Sequence, residues 1–116
     1  MDYLKNHLLV IEKNILYLMK RCKKDHQIEM FKKVEKILLT FNEYLEPLEK
    51  IKIESSAEIF TIHEILRKIN KPTLDTKAYA MQHNFDRIYL YELNQILKTI
   101  KKIHTFIGAV LEAVEK

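Results

Sequence analysis

Very little in this chain can bend it or bridge it. Its 116 residues include one glycine, Gly108, two prolines, Pro47 and Pro72, one cysteine, Cys22, and no tryptophan. A lone cysteine forms no intramolecular disulfide, so the expected setting is reducing and cytoplasmic. So little glycine leaves few of the tight turns that join strands, which argues against a sheet protein. No stretch approaches the roughly eighteen uninterrupted apolar residues of a membrane span. The apolar patches Leu8–Ile11 and Ile15–Met19 are parted by Glu12, Lys13 and Asn14, which makes a poor signal peptide.

Signatures of chemistry are equally scarce. There is no glycine-rich phosphate loop and no serine elbow, and the paired Glu-x-x-His of a di-iron bundle is missing. His26 and Glu29 stand in the reverse order and alone, as surface residues do, and no cofactor or metal is expected. His63 and His104 fall at the edges of apolar stripes, the position of a partly buried histidine. Cys22 continues an apolar stripe, where a thiol is usually inert. The expectation is therefore a non-enzymatic protein.

What the chain does have is helical rhythm. Apolar residues make up 47% and charged residues 31%, a balance suited to one packed helical domain over 1–116. Leu4, Leu8, Ile11, Ile15, Leu18 and Cys22 alternate at steps of four and three, predicting a helix over about 3–24, with Leu9, Leu16 and Met19 widening its stripe. A second helix is predicted from about His26, capped by Asp25, with Phe31, Val34, Leu38, Phe41, Leu45 and Leu48 on its face. It should stop near 44–46 or kink at Pro47. Ser55 and Glu58 form a capping box ahead of Ile59, Ile62, Leu66 and Ile69, and Asn70, Lys71 and Pro72 should close that helix.

The last region, from an Asp75 cap to Glu115, carries Tyr89, Leu93, Ile96, Ile100, Ile103, Ile107, Val110 and Val114, broadened by Leu90, Leu97 and Leu111. As one helix it would measure roughly 60 Å against about 33 Å for the first. Either it breaks near 83–85, where Asn84 tolerates left-handed backbone, or its overhang pairs with another chain; the break is favoured. The fold class is all-α: an antiparallel up-down bundle of four or five helices with a long C-terminal helical region.

In that topology one pole is basic, gathering Lys20, Arg21, Lys23, Lys24, Lys32, Lys33, Arg67, Lys68 and Lys71, with Lys77 beside them. Asp2, Glu43, Glu46, Glu49, Glu54, Glu58, Glu112 and Glu115 fall at the other pole. Helix dipoles account for Lys23, Lys24, Lys68, Lys71 and Glu58, but not for Lys32 and Lys33, which lie early in their helix where a cation is disfavoured. With a net charge of +4 and a pI of about 9.1, the pole is the expected binding surface.

Two short patterns suggest other functions. Arg21 and His26 enclose four residues, which resembles the Arg-x4-6-His of the HEPN family of helical ribonucleases, and the resemblance implies that both side chains act on a scissile phosphate. Here the pair lies at the first helix turn with Cys22 after the arginine, whereas the family places it in a late helix with a polar residue there. Residues 76–95 can be laid on a helix-turn-helix pattern, with Ala80 at the helix contact, Asn84 at the turn, and Leu90 and Leu93 inward. The leading expectation is a binding protein of the small regulator, inhibitor or immunity-adaptor type. It would dock on a protein partner through the basic pole or the apolar C-terminal helix, which could also form a homodimer. A nucleic-acid-binding regulator and a HEPN-like nuclease are the alternatives.

Overall fold

The computed structural model describes residues 2–115, with side chains as far as Ala113. Four helices follow in order: α1 (Asp2–Lys24), α2 (Ile28–Lys50), α3 (Ser56–Gln82) and α4 (Arg87–Glu115). Each touches its neighbour in sequence, α1 also touches α4, and the diagonals do not meet. This is an up-down bundle, 51 × 22 × 18 Å.

The stripes on α1 and α4 are those the spacing predicts. Leu4, Leu8, Ile11, Ile15, Leu18 and Cys22 are buried, as are Tyr89, Leu93, Ile96, Ile100, Ile103 and Ile107. Val114 lies outside the residues whose side chains are described. On α2 the buried line is Met30, Val34, Ile37, Phe41 and Leu48, with Phe31, Leu38 and Leu45 only partly covered. The helix is therefore turned by about one position from the predicted face. Leu9 and Leu16 do not widen the core; they are 53% and 49% exposed.

Neither proline ends its helix. α2 continues through Pro47 to Lys50, and α3 continues through Pro72 to Gln82. On α3 the buried residues Ile59, Ile62, Leu66, Ile69, Thr73, Thr76 and Ala80 keep the three-four alternation past the proline. Thr73 Oγ1 donates to the Ile69 carbonyl and Thr76 Oγ1 to the Pro72 carbonyl, so both buried hydroxyls are satisfied within the helix. Asp75, expected as a cap, is instead an interior residue of α3.

The predicted break at 83–85 is present, and it has a twin. Among the described residues, Asn84 (φ 53°) and His26 (φ 56°) are the two non-glycine residues with left-handed backbone. After α1, the His26 N–H donates to the Lys23 carbonyl and the Gln27 N–H to the Cys22 carbonyl. After α3, Asn84 donates to Met81 and Phe85 to Ala80. This paired pattern is the Schellman motif, which satisfies orphan carbonyls at a helix end and usually places glycine where His26 and Asn84 stand. The third connection ends in the predicted capping box. Ser55 Oγ accepts from the Ala57 N–H and donates to the Glu58 carboxylate, which also accepts from the Ser55 N–H; the hydroxyl first, with backbone N–H groups behind it, holds the Glu58 carboxyl below its ordinary range.

Two stability outcomes follow. His26→Gly removes a side chain from left-handed backbone and should raise unfolding free energy by about 0.5–1 kcal/mol. Asn84→Gly should gain less, because asparagine tolerates that region. Pro47→Ala, at an exposed position in a helix interior, should stabilise by about 1–3 kcal/mol in urea titrations. Pro72→Ala should gain less, since the buried ring of Pro72 is lost with it.

Candidate binding surface

Because α3 runs to Gln82, Arg67, Lys68 and Lys71 lie near the middle of that helix and not at the pole. The end of α1 and the start of α2 do bring Lys20, Arg21, Lys23, Lys24, Lys32 and Lys33 to one end. Most of these cations already have an intramolecular partner. Arg21 Nε donates to Asp25 at 2.9 Å, Lys32 pairs with Glu29 and Arg67 with Glu64. Lys23 lies over Phe31, Lys33 over Tyr79 at 4.7 Å and Lys68 over Tyr44. Lys32 and Lys33, which the helix dipole leaves unexplained, are thus explained by an acid one turn back and an aromatic ring on α3. Among the described residues, Lys20, Lys24 and Lys71 alone of the nine have neither an ion pair nor a ring.

Lys20 and Lys24 belong to a face that the apolar periodicity does not single out. At 100° per residue, Leu9, Val10, Lys13, Leu16, Tyr17, Lys20 and Lys24 all project from the side of α1 opposite its core residues, and all seven are exposed. The face spans about 22 Å. Between Leu9 and Lys24 it holds no acid: Glu12 turns toward α2, Asp25 is engaged at the α1–α2 turn, and the exposed Asp2, on the same side of the helix, lies about 10 Å before Leu9. α1 carries six basic residues against two acids, a net +4 equal to that of the whole chain. Its four exposed large apolar side chains exceed those of any other helix. Ile28 and Leu39 on α2, Phe60, Leu74 and Met81 on α3, and Tyr91 on α4 complete the set.

A polar lock fixes the end of this helix. Asp25 accepts from Arg21 Nε and, at 2.7 Å, from the Tyr89 hydroxyl at the start of α4. The two donors hold the Asp25 carboxyl below the ordinary carboxylate range, Tyr89 contributing most. Burial and then Asp25 push the Tyr89 hydroxyl upward. Further along, Asn14 Nδ2 donates to Glu92 on α4, while the buried Asn14 Oδ1 has no partner. Near the other end Tyr3 stacks between His7 and Phe106. α1 is therefore tied to α4 at both ends and in the middle.

The residues of the two short patterns also have structural employment. Arg21 is bound to Asp25, and His26 supplies the left-handed residue of a Schellman turn. Cys22 is buried, and desolvation, followed by Asp25, pushes its thiol up to about 11. The segment 76–95 is the end of α3, a turn and the start of α4. Those helices lie side by side as an antiparallel hairpin from that turn to a His63–His104 contact, whereas a helix-turn-helix sets its helices at about 90–120°. The apolar stripe of α4 is spent on the core as far as Ile107. No group of three or more metal-ligating side chains converges among the described residues, and no helix is long and apolar enough to cross a membrane. No protein-family model matches the chain, and neither a curated protein nor a solved structure matches it.

The lock has a pH signature. Since the folded state holds the Asp25 carboxyl below its unfolded value, its stabilisation is complete above the ordinary aspartate range near about 4 and is lost as pH falls through the folded value. Tyr89→Phe should therefore unfold at a lower temperature than the parent at pH 7. The gap should close as the pH approaches 2, and a gap independent of pH would remove Asp25 from the account.

Proposed function

We propose that this protein is a non-enzymatic binding module whose working surface is the outward face of α1, and that its partner is a protein presenting acidic and apolar groups together. The observation that supports this is the coincidence, on one helix face, of Leu9, Val10, Leu16 and Tyr17 with Lys13, Lys20 and Lys24, no acid among them. Leu9 and Leu16, and Val10 and Tyr17, are each seven residues apart and form two short apolar rows. Such rows serve as anchors for a facing helix or edge. Lysines between and beyond them would speed encounter with an acidic surface and set its orientation, while the apolar groups would supply most of the affinity.

The basic pole, in this reading, contributes through Lys20 and Lys24, which continue the α1 face. The remaining pole cations hold the bundle's own acids and rings. The α1 face is also the more economical surface energetically. Its backbone is already ordered by the core and the Tyr89 lock, so docking would not have to order it.

A photo-cross-linking residue placed at Leu16 or Tyr17 in the source cell should capture a protein, whereas one at Leu39, on the outer face of α2, should not. The triple substitution Lys13→Glu, Lys20→Glu, Lys24→Glu should lower capture at least tenfold, a loss of about 1.4 kcal/mol or more, and leave the melting temperature within a few degrees. Equal capture from Leu39, capture that survives charge reversal, or attachment to RNA or anionic vesicles in place of a protein would overturn the reading.

A further inference from the structure

The α3–α4 seam, on another side of the molecule, holds a second polar constellation. His63 and His104, 41 positions apart, approach to 2.7 Å between their Nδ1 atoms, edge to edge, with ring planes 11° from parallel and centroids 4.9 Å apart. One ring must donate and the other accept. Beside them opens a groove of about 310 Å³, at the small end of the usual range for ligand sites. Leu74, Leu97 and Ile100 give it an apolar wall, and Arg67, Lys101 and His104 bring proton donors to it from both helices. Arg67 is bound by Glu64 through one Nη at 3.1 Å, which leaves the rest of its fork available.

We propose that this groove binds a small amphiphilic anion. Its oxyanion head would be held by Arg67, Lys101 and the outer nitrogen of His104, and its short apolar body would lie against Leu74, Leu97 and Ile100. The histidine pair gives this site a polarity that a patch of surface lysines lacks. With His63 donating, His104 accepts at Nδ1 and must carry its proton on Nε2, the nitrogen left for a ligand. His63 is thus a positioning residue that sets the tautomer of its neighbour. Arg67 and Lys101 supply charge, and charge-assisted bonds are the stronger kind. In the unliganded chain both imidazoles are held below the ordinary histidine range, chiefly by burial, with Arg67 acting on each and His63 on His104. An anion in the groove opposes those effects, so its binding is linked to proton uptake by His104, which takes the proton at Nδ1 while His63 exchanges its Nδ1 proton for one on Nε2 and becomes the acceptor.

The test is calorimetry and side-chain histidine NMR on the full chain with octanoate, 1-octanol and inorganic phosphate as probes. Octanoate should bind with an affinity at least about tenfold above that of either other probe, and should raise the pKa of His104. Arg67→Gln and Lys101→Gln, both at exposed positions, should each weaken octanoate about tenfold or more. Glu64→Gln should strengthen it by releasing Arg67. His63→Phe should weaken binding and shift the His104 tautomer equilibrium, a change that loss of packing alone does not produce. Equal binding of octanol, equal binding of phosphate, a His104 signal indifferent to octanoate, or full affinity in Arg67→Gln and Lys101→Gln would each overturn the proposal.

Discussion

Four helices arranged as a ring, each touching two neighbours, can exclude water only if every helix keeps one side apolar for its whole length. That requirement governs the rest of the structure. A proline inside a helix costs about 3 kcal/mol, yet burying a single leucine contributes about 1.5–3 kcal/mol. Beyond Pro47 lie the buried Leu48 and the partly buried Ile51 and Ile53. Only Leu48 lies within the helix there, and its burial offsets most of what the proline costs, while the continued helix also carries the chain to where Ile51 and Ile53 reach the core. Beyond Pro72, Thr73, Thr76 and Ala80 keep the stripe in phase and are all buried. The turns obey the same requirement, since two of them accept unfavourable backbone at His26 and Asn84 to start the next helix in register.

These physical terms also explain which elements could be read from the residues. α1 and α4 are legible because their buried stripes are mostly leucine and isoleucine at unbroken spacing, with Cys22 and Tyr89 at the ends of the same pattern. α3 was only half legible, because a stripe that continues as threonine, threonine and alanine does not register as apolar, and Pro72 then looks like an end. On α2, apolar residues stand side by side at Met30–Phe31 and Ile37–Leu38, so periodicity could not separate two faces one position apart. Because α3 reads as ending at Pro72, Arg67, Lys68 and Lys71 read as pole residues, although the full helix holds them near its middle. Cation–π partners such as Tyr79 for Lys33, and the pairing of His63 with His104, depend on helix register and have no local signature. Asn84 and the Ser55–Glu58 box do have one, and both stand where the sequence places them.

The same reasoning separates core from surplus on α1. Its flanks are occupied by Glu12, Met19 and Lys23 on the side of α2, and by Asn14, Arg21 and the Tyr3 stack on the side of α4. No neighbour remains to cover Leu9 and Leu16. Single exposed apolar residues are ordinary on a protein surface, and those of α2, α3 and α4 are spread over three helices. Four along 12 Å or so of one face, among lysines, are a different case, because contiguous apolar surface is what association uses. Folding does not require this arrangement. Polar residues at 9, 10, 16 and 17 would leave the core untouched.

Arg21 shows how the bundle and this face constrain each other. It is the one cation near the face that Asp25 draws toward the turn, and Tyr89 completes the bond from α4. The Schellman turn at His26 fixes the same few residues from the backbone side, and the carbonyl of Cys22, which it satisfies, sits one residue from Arg21. The face therefore ends against a rigid corner, and its remaining cations are lysines, which are flexible, strongly hydrated point charges. Lysines can follow an acidic partner whose carboxylates are not precisely placed. The apolar rows, fixed to a helix whose end is locked, supply the registration that lysines cannot.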